Sequence, residues 1–338
     1  MNSKTPAVNN IFVTLAAFVI VIAGLKASTQ LLVPFLLAVF IAVICAPLMI
    51  WLKTKKIPTT AAVFLVVALF FLLAATFGTV IGASLSAFYQ DLPEYEQKLQ
   101  QQSQSLISAL QGFGLEVDSV LLSDYLDPGA AMKMVAQVFS GLGGVLTNTF
   151  LILFSVVFIL FEATDFPDKV RRAFGHKTMA LEHFQSFSDS VQRYLLIKTL
   201  VSFGTGIFAG IALTIIGVDY AILWGLIAFV LNFIPNIGSI IAAIPPMLIA
   251  MIQLGPMSSL LVAGLYVVIN TLFGNVVEPR YLGRSLGLST LVVFLSLVFW
   301  GWVFGPVGML LSIPLTMVVK IGLENSERHR WLAVLLGH

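Results

Sequence analysis

Apolar residues run through this chain in long unbroken stretches, not in the alternation of a strand or the one-sided stripe of a surface helix. A helix needs about 20 apolar residues to cross a bilayer, with a range of about 17–25. Stretches near 10–29, 31–51, 60–86, 145–163, 197–217 and 258–277 meet that requirement. Two more, 221–254 and 288–320, are too long for one simple span, and each is interrupted near its middle. The first break is Phe233-Ile-Pro-Asn-Ile-Gly238, the second Gly301-Trp-Val-Phe-Gly-Pro-Val-Gly308. Proline removes a backbone donor and glycine loosens the chain, so both runs should break a helix. Non-helical backbone survives at membrane depth only where protein or a water-filled cavity satisfies its polar groups. Paired interruptions of this kind point to a solute site. The pattern predicts an all-α integral membrane protein.

Charge placement sets an orientation. Lys53, Lys55 and Lys56 separate the second and third stretches and place that loop in the cytoplasm under the positive-inside bias. The polar segment 88–144 then falls outside, where its aspartates and glutamates outnumber Lys98 and Lys133. Lys169, Arg171, Arg172, Lys177 and Arg193 return the chain to the cytoplasm, and Arg328 and Arg330 keep the tail there. Both termini are expected to be cytoplasmic. The half-stretch 221–234 is too short to cross alone, so six crossings plus two re-entrant helical hairpins fit best. An eight-span arrangement with two kinked helices is the alternative, and it would move Arg280 and Arg284 outside.

The chain accordingly divides into N-terminal membrane helices (1–87), a small helical extracytoplasmic insertion (88–144) and a fourth transmembrane helix (145–163). A cytoplasmic amphipathic segment (164–195), a transport core with the two interrupted helices (196–320) and a cytoplasmic tail (321–338) follow. Within the insertion, Tyr95, Leu99, Leu106, Leu110 and Phe113 recur at helical spacing. Asp127-Pro128 reads as an N-cap with proline at the first helical position, leading through Met132, Val135 and Phe139.

Composition agrees with the pattern. Hydrophobic residues make up 59% of the 338 positions and charged residues 10%, against about 25% charged in a soluble domain. The net charge of +2 is too small to suggest nucleic acid. The lone Cys45 excludes an internal disulfide or a cysteine metal cluster. Lys4 ahead of an apolar run resembles a signal sequence, but no small-residue cleavage site follows, so an uncleaved first helix is expected. No zinc-helix motif and no phosphate loop occur, so neither a metal, a cofactor nor an ATPase of that type is implied. Gly283-Arg-Ser-Leu-Gly287 matches the nucleophile elbow of serine hydrolases, yet it follows a membrane helix where the elbow follows a strand. The four histidines lie in cytoplasmic loop or tail, so no catalytic residue is assigned.

Polar residues at membrane depth carry more information, because charge there is costly. Asn270 and Glu278, with Gly274 between them, share a helical face that Asn275 flanks. Asn232, Asn236 and Ser239 bracket the first break, which contains Pro235 and Gly238. Gly305, Pro306, Gly308 and Ser312 belong to the second break, flanked by Trp300 and Trp302. The polar groups of Asn270, Asn275, Glu278, Asn232, Asn236 and Ser239 suit a small hydroxylated solute, and the second break could line its path. Glu278 could instead pair with Arg280 or Arg284, and Lys198 reads as an anchor that snorkels to the interface. A cation/proton antiporter is the competing function; it needs carboxylates at membrane depth, and the few offered, Glu278, Glu162 and Asp219, sit near predicted span ends.

Phe233-Ile-Pro-Asn-Ile-Gly-Ser239, followed by Ala243-Ile-Pro-Pro246, resembles the signature of the autoinducer-2 exporter (AI-2E) family. So do Asn275-Val-Val-Glu-Pro-Arg-Tyr-Leu-Gly283 and Gly305-Pro-Val-Gly-Met-Leu-Leu-Ser-Ile-Pro314. The run from Leu286 through Phe299-Trp-Gly-Trp302, Leu126-Asp-Pro-Gly-Ala-Ala-Met132 and Tyr194-Leu-Leu-Ile-Lys-Thr199 extend the likeness over the chain. The resemblance implies an inner-membrane exporter of the quorum-sensing signal autoinducer-2. It also implies a homo-oligomer, a pentamer, with an elevator-like unit that contains the hairpins.

Overall fold

A computed structural model describes residues 7–112, 149–174, 179–235, 237–282, 288–324 and 330–337. The expected helix after Asp127-Pro128, the Gly283–Gly287 motif and Asn236 lie outside the described residues. Helices α1 (Ala7–Ala27), α2 (Thr29–Thr54), α3 (Thr59–Gly112), α4 (Thr149–Phe174) and α5 (Met179–Ile216) come first. They are followed by α6 (Ala221–Leu231), α7 (Ile237–Leu254), α8 (Pro256–Asn270), a π-helical turn (Thr271–Val277) and α9 (Glu278–Leu282). Helices α10 (Thr290–Leu310), α11 (Ser312–Glu324) and α12 (Arg330–Leu336) complete the order, with no strand among the described residues.

Six of these segments are long and apolar enough to cross a membrane: Thr29–Thr54, Thr59–Gln102, Asp189–Ile216, Ile237–Leu254, Pro256–Tyr281 and Thr290–Leu310. Four coincide with expected crossings. The expected crossings at 10–29 and 145–163 fall on α1 and α4, whose qualifying apolar stretches, Ala16–Ala27 and Thr149–Ala163, are shorter. Large apolar side chains such as Leu31, Phe150, Ile215 and Ile222 are exposed on these helices, the outer surface lipid would cover. The helix that carries the third expected crossing is longer than the crossing itself: α3 continues past residue 87 through Pro93 as one helix of 54 residues. No glycine or paired breaker stands between Ser84 and Leu92 to end it.

The chain forms two compact units. One contains residues 64–150 and 193–285. Its core packs Leu213, Leu223, Trp224, Ile227, Ile249, Val262 and Tyr266. Helices α5 and α6 approach closely because Gly206 faces Gly225; a Cβ on Gly206 would sit 2.7 Å from the Gly225 carbonyl oxygen. At the first break the chain folds back on itself. The side chain of Gln253, at the end of α7, accepts from the Asp219 N–H (3.1 Å) and donates to the Gly217 carbonyl (3.2 Å), just ahead of α6. The two arms therefore form a helical hairpin whose base lies at 217–221 and 253–254. Gly255 (φ 93°), followed by Pro256 at the first helical position, then turns the chain into α8.

The other unit contains residues 1–63, 151–192 and 286–338. Its α10 is interrupted at Gly305, whose φ of 68° and ψ of −150° only glycine adopts readily. Here too the chain folds back: a Cβ on Gly308 would collide with the Trp300 carbonyl oxygen, and one on Gly301 would meet Met309 Cγ at 2.8 Å. Residues 300 and 308 of a continuous helix would stand about 12 Å apart. Neither broken stretch is thus a single kinked helix. At the far end of this second hairpin, the Ser289 N–H donates to Leu336 O of α12 (3.2 Å).

Candidate functional site

The tip of the first hairpin, α5 and the α8–α9 region enclose a polar cavity of about 70 Å³. It is lined by Lys198 of α5, Asn232, Ile234 and Pro235 at the tip, and Ser239 of α7. Asn270, Gly274, Asn275 and Glu278 complete it. Sequence order explains the tip. Pro235 stops regular helix, the Ile234 N–H donates to Leu231 O (2.9 Å), and the chain restarts as α7 at Ile237. Gly238 is buried beneath the end of α6, where any Cβ would strike the Leu231 carbonyl oxygen.

The π-helical turn arranges the opposite wall. The Glu278 N–H donates to Phe273 O, five residues back. One extra residue per turn rotates the backbone, and such bulges are frequent at functional sites. Asn270, Gly274, Asn275 and Glu278 all reach the cavity as a result.

Its polar groups are largely paired with each other. Lys198 Nζ donates to both Glu278 carboxylate oxygens, at 2.9 and 2.8 Å. Asn232 Nδ2 donates to the buried Ser202 Oγ (3.0 Å), and Ser239 Oγ donates to Asn270 Oδ1 (2.9 Å). The tip is thereby fixed to α5 on one side and α8 on the other. Because the two ions neutralise one another, amides and hydroxyls supply the remaining recognition chemistry. Among the described residues, no cluster of histidine, cysteine or carboxylate groups could hold a metal ion.

Of the candidates named from sequence, Asn232, Pro235, Ser239, Asn270, Asn275 and Glu278 come together here. Arg280 is exposed and does not line the cavity. Glu278 pairs with Lys198, 80 positions away, so Lys198 is part of the site and not a snorkelling anchor; Arg284, the other expected partner, lies outside the described residues. Ser202 was missed. Its signal is a polar position at i+4 from Lys198, on the same helical face.

The remaining candidates belong to the second hairpin, in the other unit. Trp300 is buried, stacked on Phe304 (5.7 Å, 10°), and its Nε1 donates to Thr316 Oγ1 at 3.0 Å. Trp302 is exposed, with Lys26 Nζ 3.9 Å from its ring centroid. Gly305 and Pro306 make the turn, Gly308 packs under Trp300, and Ser312 is fully buried.

Apolar outer surfaces, folded-back helices and a polar cavity at a hairpin tip define a membrane transport protein. Residues 15–328 match the AI-2E family transporter model, and the chain belongs to that family. It is 40% identical to the AI-2 transport protein TqsA of Escherichia coli K12, over 96% of this chain and 95% of that protein. A candidate transport protein of Haemophilus influenzae is 40% identical over 96% of this chain and 94% of its own length. The YhhT protein of Escherichia coli K12 is 35% identical over 97% and 94% respectively. The antiporter alternative gains no support from these relatives. Its three carboxylates are also engaged: Glu162 with Lys169, Asp219 with the Tyr95 hydroxyl and Glu278 with Lys198.

Proposed function

We propose that the protein exports autoinducer-2, or a similar small uncharged hydroxylated solute, across the cytoplasmic membrane without an ATPase of its own. The observation that carries this reading is the cavity at the first hairpin tip. Its amides and hydroxyls can exchange hydrogen bonds with a polyol, while the closed Lys198–Glu278 pair offers no net charge to an ion. A site built to hydrogen-bond hydroxyls also rejects analogues that lack them, because its buried polar groups would be left unpaired. The 40% identity to a protein named for AI-2 transport supports the choice of cargo. In this reading both hairpins re-enter the bilayer, both termini face the cytoplasm and the chain works as a homo-oligomer. Purified protein in liposomes should carry autoinducer-2 down its gradient faster than protein-free liposomes, and Asn232→Ala should slow that flux. Flux equal to that of protein-free liposomes would refute the proposal.

A further inference from the structure

The cavity lies far from the base of the first hairpin. Lys198 lies 18 residues before the end of α5 at Ile216, about 27 Å along the helix. Ser239 lies 15 residues before the end of α7, about 22 Å from the hairpin base, and Asn270 lies about 21 Å from the start of α8. The hydrocarbon core of a bilayer is about 30 Å thick. With the base at one membrane face, the cavity therefore lies close to the other.

Polarity along α5 has the same asymmetry. One buried face carries Tyr194, Lys198, Ser202, Thr205, Ala209 and Leu213 at helical spacing. It is polar from Tyr194 to Thr205, the half beside the cavity, and apolar from Ala209 onward. Toward the base, the space is filled by Leu213, Trp224, Ile227 and Ile249. Polar ties then hold the base to α3. Tyr95 donates to Asp219 Oδ2 (2.7 Å), Tyr220 to Asp91 Oδ2, and Gln102 Nε2 to the Ile252 carbonyl (3.0 Å). Toward the other face, Asn275 lines the cavity and is itself exposed, forming its mouth.

The flanking charges say which face is which. Lys169, Arg171, Arg172, Lys177 and Arg193 precede the polar half of α5 in the chain. At the base stand Asp219 and Asp91, which accepts from Tyr220, and the only Lys or Arg of α3, Lys98, is paired with Glu94. Under the positive-inside bias the mouth is cytoplasmic and the base external. We infer that the cavity is loaded from the cytoplasm through the mouth at Asn275 and is closed toward the outside by the base of the first hairpin and its ties to α3. The inference adopts the solute site proposed above, but its sidedness stands independently.

The test uses full-length protein in a Cys45→Ala background, in inside-out and right-side-out membrane vesicles, with a membrane-impermeant methanethiosulfonate. The thiol of N275C should react at least tenfold faster in inside-out vesicles, and that of E94C at least tenfold faster in right-side-out vesicles. S239C, deeper in the same cavity, should follow the sidedness of N275C at a lower rate. Faster modification of N275C and S239C in right-side-out vesicles, or equal rates in both while E94C stays sided, would overturn the inference. Excess autoinducer-2 should slow modification of N275C. If sidedness holds without such protection, the solute reading fails and the direction of access stands.

Discussion

The Lys198–Glu278 pair gives the sharpest energetic test of the site. Two charge-assisted bonds of 2.9 and 2.8 Å join side chains that are only 5% and 17% exposed. Taking one partner from such a pair strands the other, a loss of about 3–5 kcal/mol, whereas replacing both by apolar residues of similar volume is often neutral or stabilising. Lys198→Met and Glu278→Leu should therefore each destabilise the protein by several kcal/mol, with the double variant within about 1 kcal/mol of the parent. The singles should also differ. Glu278→Leu strands the more deeply buried lysine and should cost more than Lys198→Met, which leaves a carboxylate with some access to water. Reversible unfolding by SDS in mixed micelles, followed by far-UV circular dichroism, measures all four proteins. If the double loss equals the sum of the singles within about 0.5 kcal/mol, the pair is not coupled and the geometry drawn here is wrong.

Other consequences can be checked alongside it. Gly305→Ala places a side chain at φ 68°, ψ −150° and should lose about 1–3 kcal/mol, whereas Gly308→Ala meets the Trp300 carbonyl directly and should abolish folded yield, read by size-exclusion of the detergent extract. Ser202→Ala frees the Asn232 amide without removing it, so autoinducer-2 flux in liposomes should fall less than with Asn232→Ala. Gln253→Leu removes both side-chain bonds at the base of the first hairpin, about 1–3 kcal/mol, and hydrogen exchange should quicken at the Asp219 amide but not at the tip.

Much of this architecture was legible in the sequence, because in lipid length and polarity leave few options. The proline–glycine breaks marked where both hairpins turn, and the shortness of 221–234 favoured fold-back over a kinked span. The wall formed by Asn270, Asn275 and Glu278 was also readable, since residues near each other on one helix can be placed by spacing alone. What spacing could not supply was the partner of Glu278. Sequence proximity offered Arg280 and Arg284, but Arg280 is exposed and does not line the cavity, and Lys198 arrives from another helix. That the helix of the third crossing and the one expected around Tyr95 are continuous was not read, for a different reason. A change from apolar to polar composition marks a change of solvent, and a helix passes through such a boundary without breaking unless a residue forces it to.

The two tips also show why similar breaks need not do similar work. Each turns at a proline and seats a buried glycine under a carbonyl of the preceding helix, Leu231 for Gly238 and Trp300 for Gly308. Around the first, the side chains are amides, hydroxyls and a closed ion pair, a set that can exchange partners with a hydroxylated solute. Around the second they are the stacked rings of Trp300 and Phe304, packed with Leu32, Leu36 and Leu315, and one hydrogen bond closed onto Thr316. Displacing that packing would expose aromatic surface and break the bond from the Trp300 Nε1–H to the Thr316 hydroxyl. The common backbone device therefore makes a recognition surface in one case and a packed contact in the other. Substitutions at Asn232 should accordingly alter which solute is carried, whereas Thr316→Val should alter stability and leave solute preference as it was.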